Sequence, residues 1–131
     1  TIYQDRVITA PVSTPENQPY YDAAARGELL IKRCLACGEH HYHPRAICPH
    51  CFSDQTEWVV AKGVGTIYTV SVSRRVLPTA YAIAYVTLAE GVSMMTNIVD
   101  CDLDDLRIGQ RVKLVFKSAE DGARVPMFAP A

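Results

Sequence analysis

Two pairs of cysteines in the first half of the chain restrict its folding more than any other feature. Cys34 and Cys37 form one CxxC pair, Cys48 and Cys51 form the second, and ten residues separate the pairs. Thiolates are soft metal donors, and two such turns present four sulfurs as a tetrahedron when the chain between them folds back. This spacing predicts one Zn²⁺ ion with a structural role, because four sulfurs leave no open position for catalysis.

The residues beside this knuckle leave a chemical alternative for the metal. An iron centre of the rubredoxin type also uses four thiolates, and Cys37-Gly38 and Cys48-Pro49 suit either metal. We predict zinc, because nothing else in the sequence implies electron transfer. The histidines in or beside the knuckle are predicted to be solvated, or to support the ligands indirectly: His40, His41, His43 and His50.

Composition excludes several classes of protein. The chain has 131 residues, a formal net charge of −1, and no apolar run near the roughly 20 residues that cross a bilayer. This charge gives no general reason to expect a polyanionic ligand. Four of the five cysteines lie in the CxxC pairs, which suits a reducing compartment and a bound metal, so we expect a cytoplasmic protein.

Helix, strand and turn signals divide the chain into three predicted parts. These are a polar arm at residues 1–18, a helix and the metal knuckle at 19–56, and a β-barrel at 57–131. Helix formers after Pro19 predict a helix over residues 20–26, and a short strand over 28–33 follows it. Five further strands with a tight hairpin turn at Glu90-Gly91 predict a small barrel: 57–61, 64–74, 81–89, 92–99 and 111–117.

The sequence contains no recognisable catalytic motif. It has no nucleophile elbow, P-loop, dinucleotide fingerprint or HExxH motif. Cys101 lies among aspartates, whose charges raise a thiol pKa, so we expect it to be inert. Tyr20, Tyr21 and Leu29 supply more apolar surface than so small a module needs, which predicts a surface that packs against a partner.

The order of motifs along the chain carries a family resemblance. Before the knuckle stands Tyr20-Tyr21-x-Ala-x-x-x-Gly27-x-Leu29, and after it stand Gly63-x-Gly65-x-Ile67-Tyr68-Thr69-x-Ser71, Leu88-Ala89-Glu90-Gly91, Ile108-Gly109-x-x-Val112 and Pro126-Met127-Phe128-x-Pro130. This order resembles the acyl-CoA-associated zinc-ribbon/OB-fold family from about residue 19 to 130. The chain departs from the family pattern at Tyr20-Tyr21, where Phe-Trp is frequent, and at Phe52, where a glycine would fit the knuckle more easily.

The resemblance implies a mainly β fold, with N-terminal helical residues, a rubredoxin-like zinc ribbon and a five-stranded OB-fold barrel. It implies a non-catalytic accessory subunit that forms a hetero-oligomer with a thiolase-superfamily enzyme. Such enzymes include thiolases, acyltransferases and aldolases that shorten steroid side chains. In some polypeptides the module is fused to a hydratase-like domain, which suits a chain that opens on Thr1.

Acyl-CoA is then the expected ligand of the complex. Its phosphates and pantetheine arm need cationic and amphipathic contacts, for which we predict Arg74, Arg75 and Tyr81, beside an exposed loop. The alternative function is a single-stranded nucleic-acid-binding module, since zinc ribbons and OB barrels both bind single strands. The slightly negative charge and the lack of a basic, aromatic stripe favour the accessory subunit.

Overall fold

The computed structural model describes residues 3, 8, 11, 15, 17–42, 45–73 and 80–131. Its elements have these bounds: α1, Gln18–Ala25; β1, Leu30–Cys34; β2, His40–His41; β3, Thr56–Val60; β4, Val64–Ser73; β5, Tyr81–Leu88; β6, Ser93–Ile98; a 3₁₀ turn, Leu103–Asp105; β7, Arg111–Ser118; and β8, Arg124–Pro130. The predicted mainly β fold with one N-terminal helix is confirmed. Within the described residues, no helix is long and apolar enough to cross a membrane.

Three short strands form an antiparallel ribbon sheet in the order β2-β1-β3. The central strand, β1, pairs along its whole length with β3, from Leu30 opposite Val60 to Cys34 opposite Thr56. Every β1 residue except Arg33 is buried. The sheet therefore holds the first metal-ligating cysteine at the end of a fully packed strand.

The second half of the chain closes a five-stranded barrel in the order β4-β5-β6-β8-β7. All neighbouring strands are antiparallel except β6 and β8, which pair in parallel only at Ile98 and Phe128. The edge of β6 over residues 93–97 consequently has no strand partner on the β8 side among the described residues. A groove can form along that edge.

The membership of the barrel differs from the prediction. The strand predicted at 57–61 corresponds to β3, which pairs with β1 in the ribbon and not with a barrel strand. The fifth barrel strand is β8, which the sequence patterns did not predict because Pro126 and Pro130 argue against a strand. The barrel tolerates these prolines because β8 needs few donors on its side facing β6.

One continuous apolar core joins the ribbon to the barrel. Tyr20, Leu29 and Ile31 of the N-terminal half belong to the same buried cluster as Ile67 and Phe128 of the barrel. A polar contact reinforces this junction, since Oε2 of Glu90 in the hairpin turn accepts a hydrogen bond from the Lys62 backbone N–H at 2.9 Å. The ribbon therefore stands as a rigid projection on the barrel.

Candidate metal centre and surrounding surfaces

The four cysteines of the two CxxC pairs converge in the structure. All four Sγ atoms lie within 4.8 Å of one another. The Cys34–Cys51 and Cys37–Cys48 sulfurs are 3.5 and 3.8 Å apart. Sulfurs placed about 2.3 Å from a central zinc ion form a tetrahedron with edges of about 3.8 Å. The site therefore has the dimensions of a tetrahedral four-thiolate zinc centre.

Backbone N–H groups in both turns point at the sulfurs. Cys37 N–H donates to Cys34 Sγ at 3.4 Å, and His50 N–H donates to Cys48 Sγ at 3.3 Å. The bond from Cys37 is the largest of several contributions that lower the pKa of Cys34 to about 6. Cys34 and Cys48 are buried whereas Cys37 and Cys51 are exposed, so the sulfurs bridge the ribbon core and its surface. With all four positions occupied by protein, the centre can hold structure but cannot bind a substrate water.

Phe52 occupies a position in the second turn that glycine occupies in the first. Gly38, after the first CxxC pair, has φ = 78°, and Phe52, after the second, has φ = 65°. A bulky side chain is strained in this left-handed region. The phenyl ring gains little from burial in return, because it is 80% exposed. Leu35 and Ile47 on the same turns are also more than half exposed.

The histidines near the knuckle do not all lie where we predicted. His40, His41 and His50 lie outside the four-sulfur cluster, and His43 falls outside the described residues. Of the two alternatives predicted for this group, solvation does not apply to His41, which lies in β2, opposite Lys32, and is only 5% exposed. No sequence signal marked this burial, because it depends on the pairing of β2 with β1.

Two of the three residues predicted to contact a partner, Tyr20 and Leu29, are buried within the chain itself. Tyr20 and Leu29 are 5% and 1% exposed, because they fill the core that joins the ribbon to the barrel. Tyr20 also shares a 2.8 Å hydrogen bond with the Tyr42 hydroxyl. Tyr21 is partly buried and meets the Tyr20 ring edge-on at a centroid distance of 5.1 Å. These side chains stabilise the chain's own fold, and Tyr20 and Leu29 have almost no surface to offer a partner.

The predicted CoA contacts fall partly outside the described part of the chain. Arg74 and Arg75 lie outside the described residues. Tyr81 begins β5, where it pairs with Ser73 and is half-buried. The prediction that these three residues contact CoA stays a prediction.

Cys101 lies apart from the metal cluster, among the residues that pack against the core. Its pKa is raised, first by burial and then by the charges of Asp100, Asp102 and Asp105. The direction agrees with the sequence prediction, although burial is the larger cause. A raised thiol pKa makes Cys101 a poor nucleophile.

Comparison with known proteins places the chain in a family. The ChsH2 rubredoxin-like zinc ribbon domain matches residues 22–57, and the ChsH2 C-terminal OB-fold domain matches residues 58–117. A DUF35 domain-containing scaffold protein of Methanothermobacter thermautotrophicus is 35% identical over 104 residues, which cover 73% of this chain and 77% of the relative. The chain belongs to the ChsH2 (DUF35) family. The resemblance stated from its motifs is confirmed.

Two further relatives of this ChsH2-family chain are informative. A solved structure described as an Ltp2-ChsH2(DUF35) aldolase superposes with a TM-score of 0.79 at 32% identity, covering 92% of this chain and 98% of that one. A probable enoyl-CoA hydratase alpha subunit of Thermomonospora curvata is 33% identical over 125 residues. Those residues cover 92% of this chain, which thus spans only 39% of the hydratase subunit. The zinc-ribbon family and the sulfur geometry together support structural zinc in the ChsH2-type ribbon.

Proposed function

We propose that this ChsH2-family chain is a non-catalytic accessory subunit that binds and stabilises an enzyme acting on acyl-CoA thioesters. The observation that carries the proposal is the match to the ChsH2 (DUF35) chain of an aldolase, over 98% of that chain. The scaffold relative and the hydratase alpha subunit support the same class of role. We further propose that the partner belongs to the thiolase superfamily and acts as a thiolase, acyltransferase or retro-aldolase.

The chemistry of the described residues supports a role without catalysis by this chain. The four thiolates form a closed metal site, and the remaining thiol, Cys101, has a raised pKa. We therefore assign the nucleophile and the acid–base groups to the partner enzyme. In this proposal the accessory subunit orders the partner and helps to shape the path of the CoA thioester.

The docking surface that we propose is the knuckle patch, defined as Leu35, Ile47 and Phe52. These side chains are 56%, 52% and 80% exposed. Each of these residues is next to a ligand cysteine, and the four sulfurs lie within 4.8 Å of one another. Exposed apolar groups concentrated in one region mark interaction sites in soluble proteins. The zinc-held turns fix the backbone of the knuckle patch, so little conformational entropy is lost when a partner binds it. The strained phenylalanine supports the same role, because glycine would fit the isolated ribbon better.

Substitution of Phe52 by glycine tests the proposed docking surface. Glycine relieves the left-handed strain, which stabilises the folded chain by about 1–2 kcal/mol. The greater flexibility of glycine in the unfolded chain destabilises the fold by about 0.5–1 kcal/mol. We therefore expect F52G to leave the free energy of unfolding unchanged or to raise it by up to about 1.5 kcal/mol. Loss of an aromatic anchor at an interface typically costs more than about 1.4 kcal/mol, so binding to the partner should weaken at least tenfold.

Chemical denaturation of the zinc-loaded chain and calorimetric titration with the partner enzyme give the two readouts. Tyr68→Ala is the matched control, because Tyr68 is an aromatic residue 61% exposed on barrel strand β4, outside the zinc ribbon. It should retain the wild-type affinity. If F52G binds the partner as tightly as the wild type, the knuckle patch is not the docking surface.

A further inference from the structure

A cleft of about 660 Å³ lies between the ribbon and the β5–β6 hairpin, and we call it the ribbon cleft. On the ribbon side it is lined by β2 and by the second knuckle, including Arg45 and His50. On the barrel side it is lined by residues 91–95, at the start of β6. Its two walls are chemically different: nitrogen-bearing side chains face a mainly apolar strand.

His41 is the buried polar group of this cleft. It is only 5% exposed, and neither ring nitrogen has a hydrogen-bond partner among the described residues. Burial lowers its pKa below the usual value, the Arg45 backbone opposes this lowering, and the positive charge of Lys32 adds to it. The neutral ring offers one N–H donor and one acceptor. A buried donor without an acceptor typically costs about 1–3 kcal/mol, which a bound ligand would recover.

The charges around His41 are mainly positive. Lys32 lies opposite His41 on the neighbouring strand and is 8% exposed. Its Nζ atom reaches only a hydroxyl, Thr56 Oγ1 at 3.3 Å, and the Trp58 ring at 4.5 Å, with no carboxylate partner among the described residues. Arg45 and His50 line the cleft with exposed side chains, and Glu39 is the one carboxylate in the described lining. The cleft is therefore suited to an anion.

A path of mixed polar and apolar side chains leads away from this cationic end. Met95 and Tyr42 line both the ribbon cleft and a second cavity of about 190 Å³. The second cavity continues along the unpaired edge of β6 towards Tyr20 and Tyr21. A ligand with an anionic head and a slender arm that carries both polar and apolar groups would match this sequence of surfaces.

We propose that the ribbon cleft binds the phosphate group of an organic phosphate ester, with His41 and Arg45 as donors and the ester's arm along β6. Resting on the proposed function, we identify this ester as a CoA thioester. The charged Arg45 guanidinium can donate strong hydrogen bonds to phosphate oxygens, and the neutral His41 ring can donate one further hydrogen bond. These proposed contacts differ from the CoA contacts predicted from the sequence, which were Arg74, Arg75 and Tyr81.

Calorimetric titration of the zinc-loaded chain with coenzyme A tests this site. Pantetheine, which carries the same arm without phosphates, is the matched probe and should bind at least tenfold more weakly. Arg45→Gln should weaken CoA binding about tenfold, and His41→Phe, which keeps a ring but removes both nitrogens, at least fivefold. Arg111→Gln is the control, because Arg111 lines a separate cavity of about 450 Å³ beside the end of β8.

Several results would overturn the proposal. These are no binding of CoA to the isolated chain, equal affinity for CoA and pantetheine, or equal effects of R45Q and R111Q. If inorganic pyrophosphate bound as tightly as CoA, the arm would contribute nothing to binding. If a single-stranded oligothymidylate bound more tightly than CoA, the ligand of the cleft would be a nucleic acid and not a CoA thioester. The R45Q variant keeps the knuckle patch intact, so its binding to the partner enzyme is measured as well. If R45Q and the wild type bind the partner but neither result supports the CoA site, only the CoA site fails. If the wild type does not bind the partner, the accessory role fails.

Discussion

Cys34→Ala and Cys48→Ala are each expected to lose the zinc ion and to unfold the ribbon. Both sulfurs are buried within the four-sulfur cluster, so neither can be replaced by a sulfur from elsewhere in the described residues. Structural zinc sites contribute apparent binding free energies of about 10–16 kcal/mol at neutral pH. That is as large as the whole stability of an ordinary domain, about 5–15 kcal/mol. Zinc content per chain and the circular dichroism of the purified variants measure the two effects.

Cys101→Ala is the matched control for the ligand variants. It removes a thiol that lies outside the cluster, so it should keep one zinc equivalent and a folded ribbon. Colourless protein with one zinc per chain would also exclude an iron centre. If C34A and C48A both keep a full zinc equivalent, the assignment of the ligands is wrong.

Phe128→Ala is expected to lower the free energy of unfolding by about 3–5 kcal/mol, as truncation of a buried phenylalanine generally does. Phe128 is fully buried and is the largest fully buried side chain in the described residues. It also lies where the barrel closes, opposite Ile98 on β6 and Leu114 on β7. The Val99 backbone N–H donates to its carbonyl oxygen at 2.9 Å. The truncation would therefore leave a cavity where β6 and β8 meet, which is the barrel junction with the fewest paired residues.

Urea denaturation of zinc-loaded protein measures this loss, and Phe52→Ala provides a control with the same truncation. Since the Phe52 ring is 80% exposed and alanine shares the left-handed strain, F52A should change the free energy of unfolding by less than about 0.5 kcal/mol. Similar losses in F128A and F52A would mean that the barrel core does not close as described.

The metal centre could be predicted from the sequence because its determinants are local. Each CxxC turn spans only a few residues, and backbone N–H groups within the same turn point at the sulfurs. The order of motifs then gave the ribbon and the barrel in their correct order along the chain. The departure at Phe52 was also visible in the sequence, although its exposure was not.

Features that depend on distant contacts were harder to predict. β3 has the pattern of a barrel strand, but its partner is β1, some 26 residues earlier in the sequence. The prolines of β8 argued against a strand there. The strand forms because β8 pairs with β6 at only one position, so few backbone donors are needed on that side. Tyr20 and Leu29 were assigned to a partner surface because the sequence could not show that the barrel covers them.

The same limit applies to the candidate ligand site. His41 becomes a buried, unpartnered donor only when β2 pairs with β1 and the β5–β6 hairpin folds over it. None of these contacts leaves a pattern in the sequence near His41. The cytoplasmic location and the contacts of Arg74, Arg75 and Tyr81 with CoA stay predictions.

Co-expression with the thiolase-superfamily enzyme of its gene neighbourhood, followed by affinity purification through a tag on this chain, tests the accessory role most directly. We expect the two proteins to elute as one complex in size-exclusion chromatography, with one zinc per copy of this chain. We also expect the enzyme to act on its acyl-CoA substrate more efficiently within the complex than alone. Separate elution of the two proteins, together with unchanged activity of the enzyme, would contradict the proposed function.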